Sequence, residues 1–180
     1  ARPLFAGWNG IMADLTTTVD GLTLPNPFVI GSGPPGTNSN VIGKAFDEGW
    51  GGVICKTVSL DASKVVNVSP RYARLRARES REIIGWENIE LISDRDGVDA
   101  FELNMSCPHG LPERRMGSAM GENPEILEEV CGWVMGAAKV PVWAKMTPNV
   151  THIEDPVRAS LKVGCNGVSA INTIRSVLGG

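Results

Sequence analysis

Apolar and polar residues alternate along Phe101-Glu102-Leu103-Asn104-Met105-Ser106, with Phe101, Leu103 and Met105 on one side and Glu102, Asn104 and Ser106 on the other. A period of two is that of a strand. Cys107-Pro108 ends it, because proline has no N–H for a ladder and biases the residue before it away from helix. Asn104, Ser106 and Cys107 therefore fall at the carboxyl end of a strand. In parallel α/β folds that edge binds ligands and carries the chemistry. A thiol there is a candidate catalytic group, against the ordinary reading of a small buried hydrophobe.

Similar patterns recur on both sides of this stretch. Leu15 to Val19 and Leu22 to Leu24 flank Asp20-Gly21, a two-residue hairpin signal. Phe28-Val29-Ile30 reads as a short buried strand, followed by the glycine- and proline-rich loop 31–36. Thr37 or Ser39 can cap a helix running to Glu48, with Val41, Ile42, Ala45 and Phe46 as its stripe and Gly49 as its stop. Gly52-Val53-Ile54-Cys55 begins a strand expected to end at Lys56-Thr57-Val58. Residues 59–82 are polar and arginine-rich, and they read as a solvated loop or helix face.

After the Phe101 strand, residues 108–121 form a glycine-containing loop of the kind that serves as a lid. Asn123-Pro124 opens a helix striped by Ile126, Leu127, Val130, Val134 and Ala137, with Trp133 and Met135 read as packing residues. Val140 to Ala144 is a strand ending at Lys145-Met146-Thr147-Pro148. A helix from about Ile153 to Val163 and a strand from Gly167 to Thr173 close the series. Apolar strands alternating with helices call for a parallel sheet covered by helices, either a barrel or a doubly wound sheet. The first strand-to-helix loop lacks G-x-G-x-x-G, which weakens the dinucleotide-binding alternative. Ser32, Lys56, Asn104, Lys145 and Asn172 recur at strand ends, as in the site of a (β/α) barrel.

Composition narrows the function classes. The 180 residues carry a formal net charge of -3 and 42% hydrophobic residues, which fits a globular chain without a general attraction for nucleic acid or anionic membrane. No apolar run approaches the roughly 18 residues of a membrane span. Cys55, Cys107, Cys131 and Cys165 are widely spaced, against a structural zinc or iron–sulfur site within the chain, and reduced thiols in a cytoplasmic setting are the simplest reading. Residues 1–11 are expected to be an extension outside the fold, with Met12 as a natural start and 12–180 as the domain.

Several motifs carry a resemblance to a known family. Asn-x-Ser-Cys-Pro at 104–108, Ala-Lys-Met-Thr-Pro-Asn at 144–149 and Ala-Ile-Asn-Thr at 170–173 resemble those of dihydropyrimidine dehydrogenases, in the flavin-binding barrel shared with dihydroorotate dehydrogenases. Asn-Pro-Phe at 26–28, Lys-Thr at 56–57 and Asn-Val-Ser-Pro-Arg at 67–71 fit the same order. The motifs resemble in particular those of the FMN-carrying subunit of the bacterial NAD-dependent enzyme. The resemblance implies an α/β fold of (β/α)8 TIM-barrel type with an N-terminal β-hairpin. It implies that Ser32, Lys56, Thr57 and Lys145 bind FMN, and that Asn88, Asn104, Ser106, Asn172 and Thr173 face a pyrimidine. Cys107 matches the family's proton donor and Glu90 a nearby carboxylate. NAD(H) would act indirectly, through an electron-transfer flavoprotein or iron–sulfur partner subunit, and an oligomer is compatible with this.

The residue types suit that chemistry. Reducing the C5–C6 bond of uracil or thymine needs a hydride on one ring carbon and a proton on its neighbour, from an acid within hydrogen-bond reach. A free thiol, with a pKa of about 8.5, still holds its proton at neutral pH. His109 lies beyond the proline and is the lesser candidate for the acid. Asparagine offers a donor and an acceptor without charge, which suits a neutral lactam. A cation such as Lys145 near the flavin N1/O2 edge stabilises the charge of the reduced ring, with Lys56 positioning the cofactor.

The chain also departs from the family pattern. Relatives carry a helix–strand–helix block where Ile92 here runs almost directly to Gly97, and the sequence ends at Gly180. Five strands are expected, where a closed barrel has eight and about 250 residues. The expectation is an internally shortened, C-terminally truncated barrel with weak or no activity alone. Two other readings stand beside it: a dihydroorotate dehydrogenase-type FMN oxidoreductase, and a non-catalytic partial barrel.

Overall fold

The computed structural model describes residues 13–56, 81, 98–107 and 117–174, and the backbone of 72–76 and 83–88. The chain divides into two compact units, the first running to Asp96 and the second from Gly97 to Gly179.

The first unit opens with an antiparallel hairpin of β1 (Thr17–Val19) and β2 (Leu22–Leu24). Asp20 and Gly21 both take positive φ, 49° and 81°, as a tight hairpin turn requires. β3 (Val29–Ile30) pairs in parallel with β4 (Gly52–Val53) across helix α1 (Ser39–Asp47). The cap of α1 is Asn38, between the two expected candidates; its side chain accepts the Val41 N–H at 3.1 Å. Gly49, at φ 92°, turns the chain out of the helix.

Three expectations for this unit are corrected. The strand read from Gly52 to Val58 ends at Val53. The 3-10 turn Pro34–Gly36 takes over its pairing, since Gly36 O accepts the Lys56 N–H at 3.1 Å. Phe28 and Val29 are 59% and 39% exposed, so the strand read as buried has an uncovered side. The polar segment read as loop or helix contains a strand, β5 (Tyr72–Arg76), antiparallel to β6 (Ile83–Asn88), with a register shift between Leu75 and Arg76. Tyr72-Ala73-Arg74-Leu75-Arg76 carries a period-two pattern that its charge content hides.

The second unit is a three-stranded parallel sheet in the order β7 (Phe101–Asn104), β8 (Val142–Lys145), β9 (Gly167–Ser169). Chain order and spatial order coincide, as in a segment of a (β/α) barrel. The short helix α2 (Ser118–Gly121) and α3 (Pro124–Ala137) connect β7 to β8, and α4 (Glu154–Lys162) connects β8 to β9. Asn123 caps α3 by accepting the N–H groups of Glu125 and Ile126. Pro156 lies in the first turn of α4, where a missing N–H is tolerated. The strand expected to reach Thr173 ends at Ser169. Beyond it Met146 N–H still donates to Ser169 O at 2.9 Å and Asn172 N–H to Met146 O at 3.2 Å.

Strand alternation sends Val142 and Ala144, both 0% exposed, to the helix side, where they pack with Met105, Leu127, Cys131, Met146, Ala159 and Cys165. Trp133, read as a packing residue, is 67% exposed. The buried positions of α3 are Leu127 and Cys131, a face turned away from it. Met135 does pack against this core. The loop expected over 108–121 lies outside the described residues as far as 116. Its remainder is a turn at Gly117 and helix α2.

Two predictions follow from this core. A Cβ at Gly121 would strike the Met105 carbonyl oxygen, and it would stand 3.1 Å from Thr147 Cγ2. Gly121→Ala is expected to cost about 1–3 kcal/mol through overpacking. Gly136→Ala, on an open stretch of α3, should gain up to ~1 kcal/mol from helix propensity. Urea unfolding midpoints compare the two.

Burial pushes both the Cys131 and Cys165 thiols up, and the Cys165 sulfur adds to the effect at Cys131, which reaches about 12. Above a pH of about 8.5 the unfolded thiols lose protons that the folded ones keep, so unfolding gains favour with each step in pH. Stability should therefore fall from about pH 8.5 towards pH 12. Cys131→Ala should flatten that slope, as read from denaturation midpoints across the range.

Candidate functional site

Parallel register sets the polar face of the second sheet. Glu102 pairs with Trp143, and Asn104 with Lys145, which in turn pairs with Ser169. Alternation places Glu102, Asn104, Trp143, Lys145, Gly167 and Ser169 opposite the helix-packed face. Asn104 and Lys145 are the last residues of their strands, so the amide and the ammonium share the carboxyl edge.

At this edge four predicted residues form one hydrogen-bonded cluster. Asn104 Oδ1 accepts from the Ser106 N–H at 3.2 Å and from Ser106 Oγ at 3.0 Å. Asn172 Nδ2 donates to Ser106 Oγ at 2.9 Å and stands 3.4 Å from Asn104 Oδ1. Asn172 Oδ1 accepts from the Thr173 N–H at 2.8 Å and from its hydroxyl at 3.1 Å. A backbone N–H can only donate, so both amides have their oxygens fixed by the chain itself. The consequence is directional. The Asn104 oxygen is saturated, its NH2 group has no partner among the described residues, and the exposed amide presents donors. Ser106, 0% exposed, is the post on which the two asparagines are braced.

Lys145 Nζ lies 3.5 Å from Glu102 Oε1, with the two side chains 19% and 8% exposed, and Glu102 Oε2 accepts the Ser169 hydroxyl at 2.8 Å. Cys107 follows the cluster as a half-buried free thiol, its carbonyl accepting the Ser118 N–H at 2.9 Å. The Thr147-Pro148-Asn149 turn ties two loops together. Thr147 Oγ1 accepts from Asn149, whose Nδ2 donates to Thr173 O at 3.0 Å.

In the first unit, Ser32 and Lys56 both lie beyond the carboxyl ends of the β3–β4 pair and are half-buried. Asn88 ends β6 by its backbone, opposite Tyr72. Thr57, Glu90 and His109 fall outside the described residues. Sequence reasoning missed Glu102, Ser169, Thr147 and Asn149 as parts of this edge. For Glu102 the signal was present: it stands two residues before Asn104 and so shares its face.

The chain is similar to several known proteins. The family model described as dihydroorotate dehydrogenase matches residues 86–180. The chain is 54% identical to the chloroplastic dihydropyrimidine dehydrogenase (NADP(+)) of Arabidopsis thaliana, over 92% of its own length and 50% of the relative's. It is 31% identical to the NAD-dependent dihydropyrimidine dehydrogenase subunit PreA of Escherichia coli (strain K12), over 91% of this chain and 49% of that one. With the catalytic subunit of dihydroorotate dehydrogenase B (NAD(+)) of Methanocella arvoryzae it shares 29% identity, over 91% of this chain and 63% of that one. The chain belongs to the dihydroorotate dehydrogenase family. Within that family it is homologous to the dihydropyrimidine dehydrogenases. It spans about half the length of these two relatives. The Arabidopsis alignment runs over 213 positions against 180 residues here, so at least 33 positions of that relative have no counterpart in this chain.

Removing the post should loosen the far loop. Ser106→Ala takes away the acceptor of Asn172 Nδ2, and amide exchange at Asn172 and Thr173 should speed up about fivefold, the worth of one ordinary hydrogen bond. Hydrogen–deuterium exchange with mass spectrometry reads the change.

Proposed function

We propose that this chain is part of an FMN-dependent dihydropyrimidine dehydrogenase, in which the C5–C6 bond of uracil or thymine is reduced. The observation that carries the reading is the Asn104–Ser106–Asn172 cluster beside Lys145 at the carboxyl edge of parallel strands. A neutral donor amide held in one orientation suits a lactam carbonyl. Lys145 at the same edge is the cation assigned here to the flavin, which leaves no ammonium among the described residues of this edge for a substrate carboxylate. This favours a pyrimidine base over dihydroorotate, the substrate named for the archaeal relative.

A lysine at a strand end is of a type that suits FMN. Lys145 supplies a cation for the N1/O2 edge of a flavin, and Ser32, Lys56 and Thr57 are the further candidates for holding it. FMN, when bound, supplies the hydride. The protein's part is positional and protic. Asn104 donates to a ring carbonyl, and Asn88, Ser106, Asn172 and Thr173 complete the substrate face. Cys107 Sγ gives the proton to the carbon next to the one that takes the hydride. Its thiolate is then reprotonated from solvent.

In this reading residues 12–180 form a partial barrel domain, with five parallel strands of the eight in a complete barrel. Among the described residues β3 and β4 form one parallel pair, and β7, β8 and β9 a separate parallel sheet. Electrons from NAD(P)H reach the flavin through an electron-transfer flavoprotein or iron–sulfur partner. One dihydropyrimidine dehydrogenase relative is named for NADP(+) and the other for NAD.

The test is reoxidation of the FMN-loaded, chemically reduced chain by uracil, with dihydroorotate as substrate in the reverse direction for comparison. Uracil-dependent reoxidation is expected, at a low rate in the chain alone. Cys107→Ala should slow it by about 10²–10⁴-fold, the usual worth of a positioned acid, with flavin content unchanged. Full turnover in that variant refutes the proton-donor role.

A further inference from the structure

The polar face of the second sheet contains one charged group that the proposed reaction does not use. Glu102 sits inside β7 with its side chain 8% exposed. A buried carboxylate persists only where its oxygens are partnered. Ser169 donates to Oε2 at 2.8 Å, and Lys145 Nζ lies 3.5 Å from Oε1. The three residues come from three adjacent strands, and the ladder register sets their spacing: Glu102 stands two pairs below the Asn104–Lys145–Ser169 layer, on the same face. In Glu102's own layer the neighbouring position is Trp143, whose ring lies against Gly167: a Cβ there would stand 3.0 Å from Trp143 Cδ1.

Lysine carries its charge on a flexible four-carbon stem, and an ammonium at a strand end can sample many positions. Glu102 restricts that freedom from beneath, and Ser169 in turn restricts Glu102. We propose that Glu102 is a positioning residue. It fixes the Lys145 ammonium at the carboxyl end of β8, so that the cation meets the reduced flavin in one place. This rests on the flavin reading above.

The experiment is a double-mutant cycle on the full chain, with Glu102→Gln and Lys145→Met separately and together. It has two readouts. In the flavin-free protein, urea unfolding should reveal a coupling between the two sites of about fivefold in the unfolding equilibrium constant, as expected for contacting charges. No coupling there overturns the proposal. In the FMN-loaded protein, dye equilibration gives the midpoint potential. Glu102→Gln should lower the reduced-to-oxidised ratio at fixed potential about fivefold where Lys145 is present, and not where it is methionine. Removal of a negative charge by itself acts the other way and in both backgrounds, so an equal shift in both, or a rise, overturns the positioning role. Ser169→Ala keeps every charge and loses only the hydroxyl that steadies Glu102. It should move the ratio in the same direction by a smaller factor, and no movement counts against the proposal. A chain that shows the flavin-free coupling but takes up no FMN refutes the flavin reading and leaves the Glu102–Lys145 pair standing.

Discussion

A carboxylate inside a sheet has to be met by donors, and in the second unit that requirement organises the site. Glu102 draws a hydroxyl from β9 and an ammonium from β8 onto one face. Neither partner is near it in sequence; only the parallel register of β7, β8 and β9 brings them within reach. The opposite face is closed against α3 and α4 along its central strand, where Val142 and Ala144 have no exposed surface, while Phe101 and Val168 on the outer strands stay partly exposed. Polarity therefore has one direction to go, and the strand ends deliver Asn104 and Lys145 to the edge above Glu102.

The neutral part of the site is set by a different device. Ser106 is buried, and its hydroxyl and N–H both serve Asn104, while Asn172 reaches across from the loop after β9. Backbone donors decide which way each amide faces. Asparagine can present either end to a ligand, so this local bonding turns an ambiguous residue into a specific one. The Thr147–Asn149–Thr173 link holds the third loop to the same frame.

Much of this was legible in the chain. The hairpin at Asp20-Gly21, the Asn123-Pro124 helix start and the parallel pairing within each sheet all follow from local patterns, although β4 and β9 end earlier than those patterns extend. So does the gathering of Asn104, Ser106, Asn172 and Lys145 at strand ends. What was not legible has identifiable causes. Thr37, Asn38 and Ser39 are all capable caps, and the extended backbone at Asn38, φ -148° and ψ 160°, decides among them. The stripe of Leu127, Val130 and Val134 does pack, but Cys131 completes the buried face and Trp133, read as a packing residue, lies off it. Arginines masked the alternation of β5. Glu102 was read only as the polar half of a pattern, because a pairing across strands has no signature within one strand.

The alternation along β8 has a consequence for how such a chain can change its length. Val142 and Ala144 face the helices while Trp143 and Lys145 face the other way. Inserting or deleting one residue there reverses the phase of every side chain that follows. The ammonium would be driven into the hydrocarbon core and an alanine set at the mouth. Strands of this kind accept exchange of one side chain for another far more readily than a frame change, whereas whole connecting blocks can be lost between them without disturbing that phase.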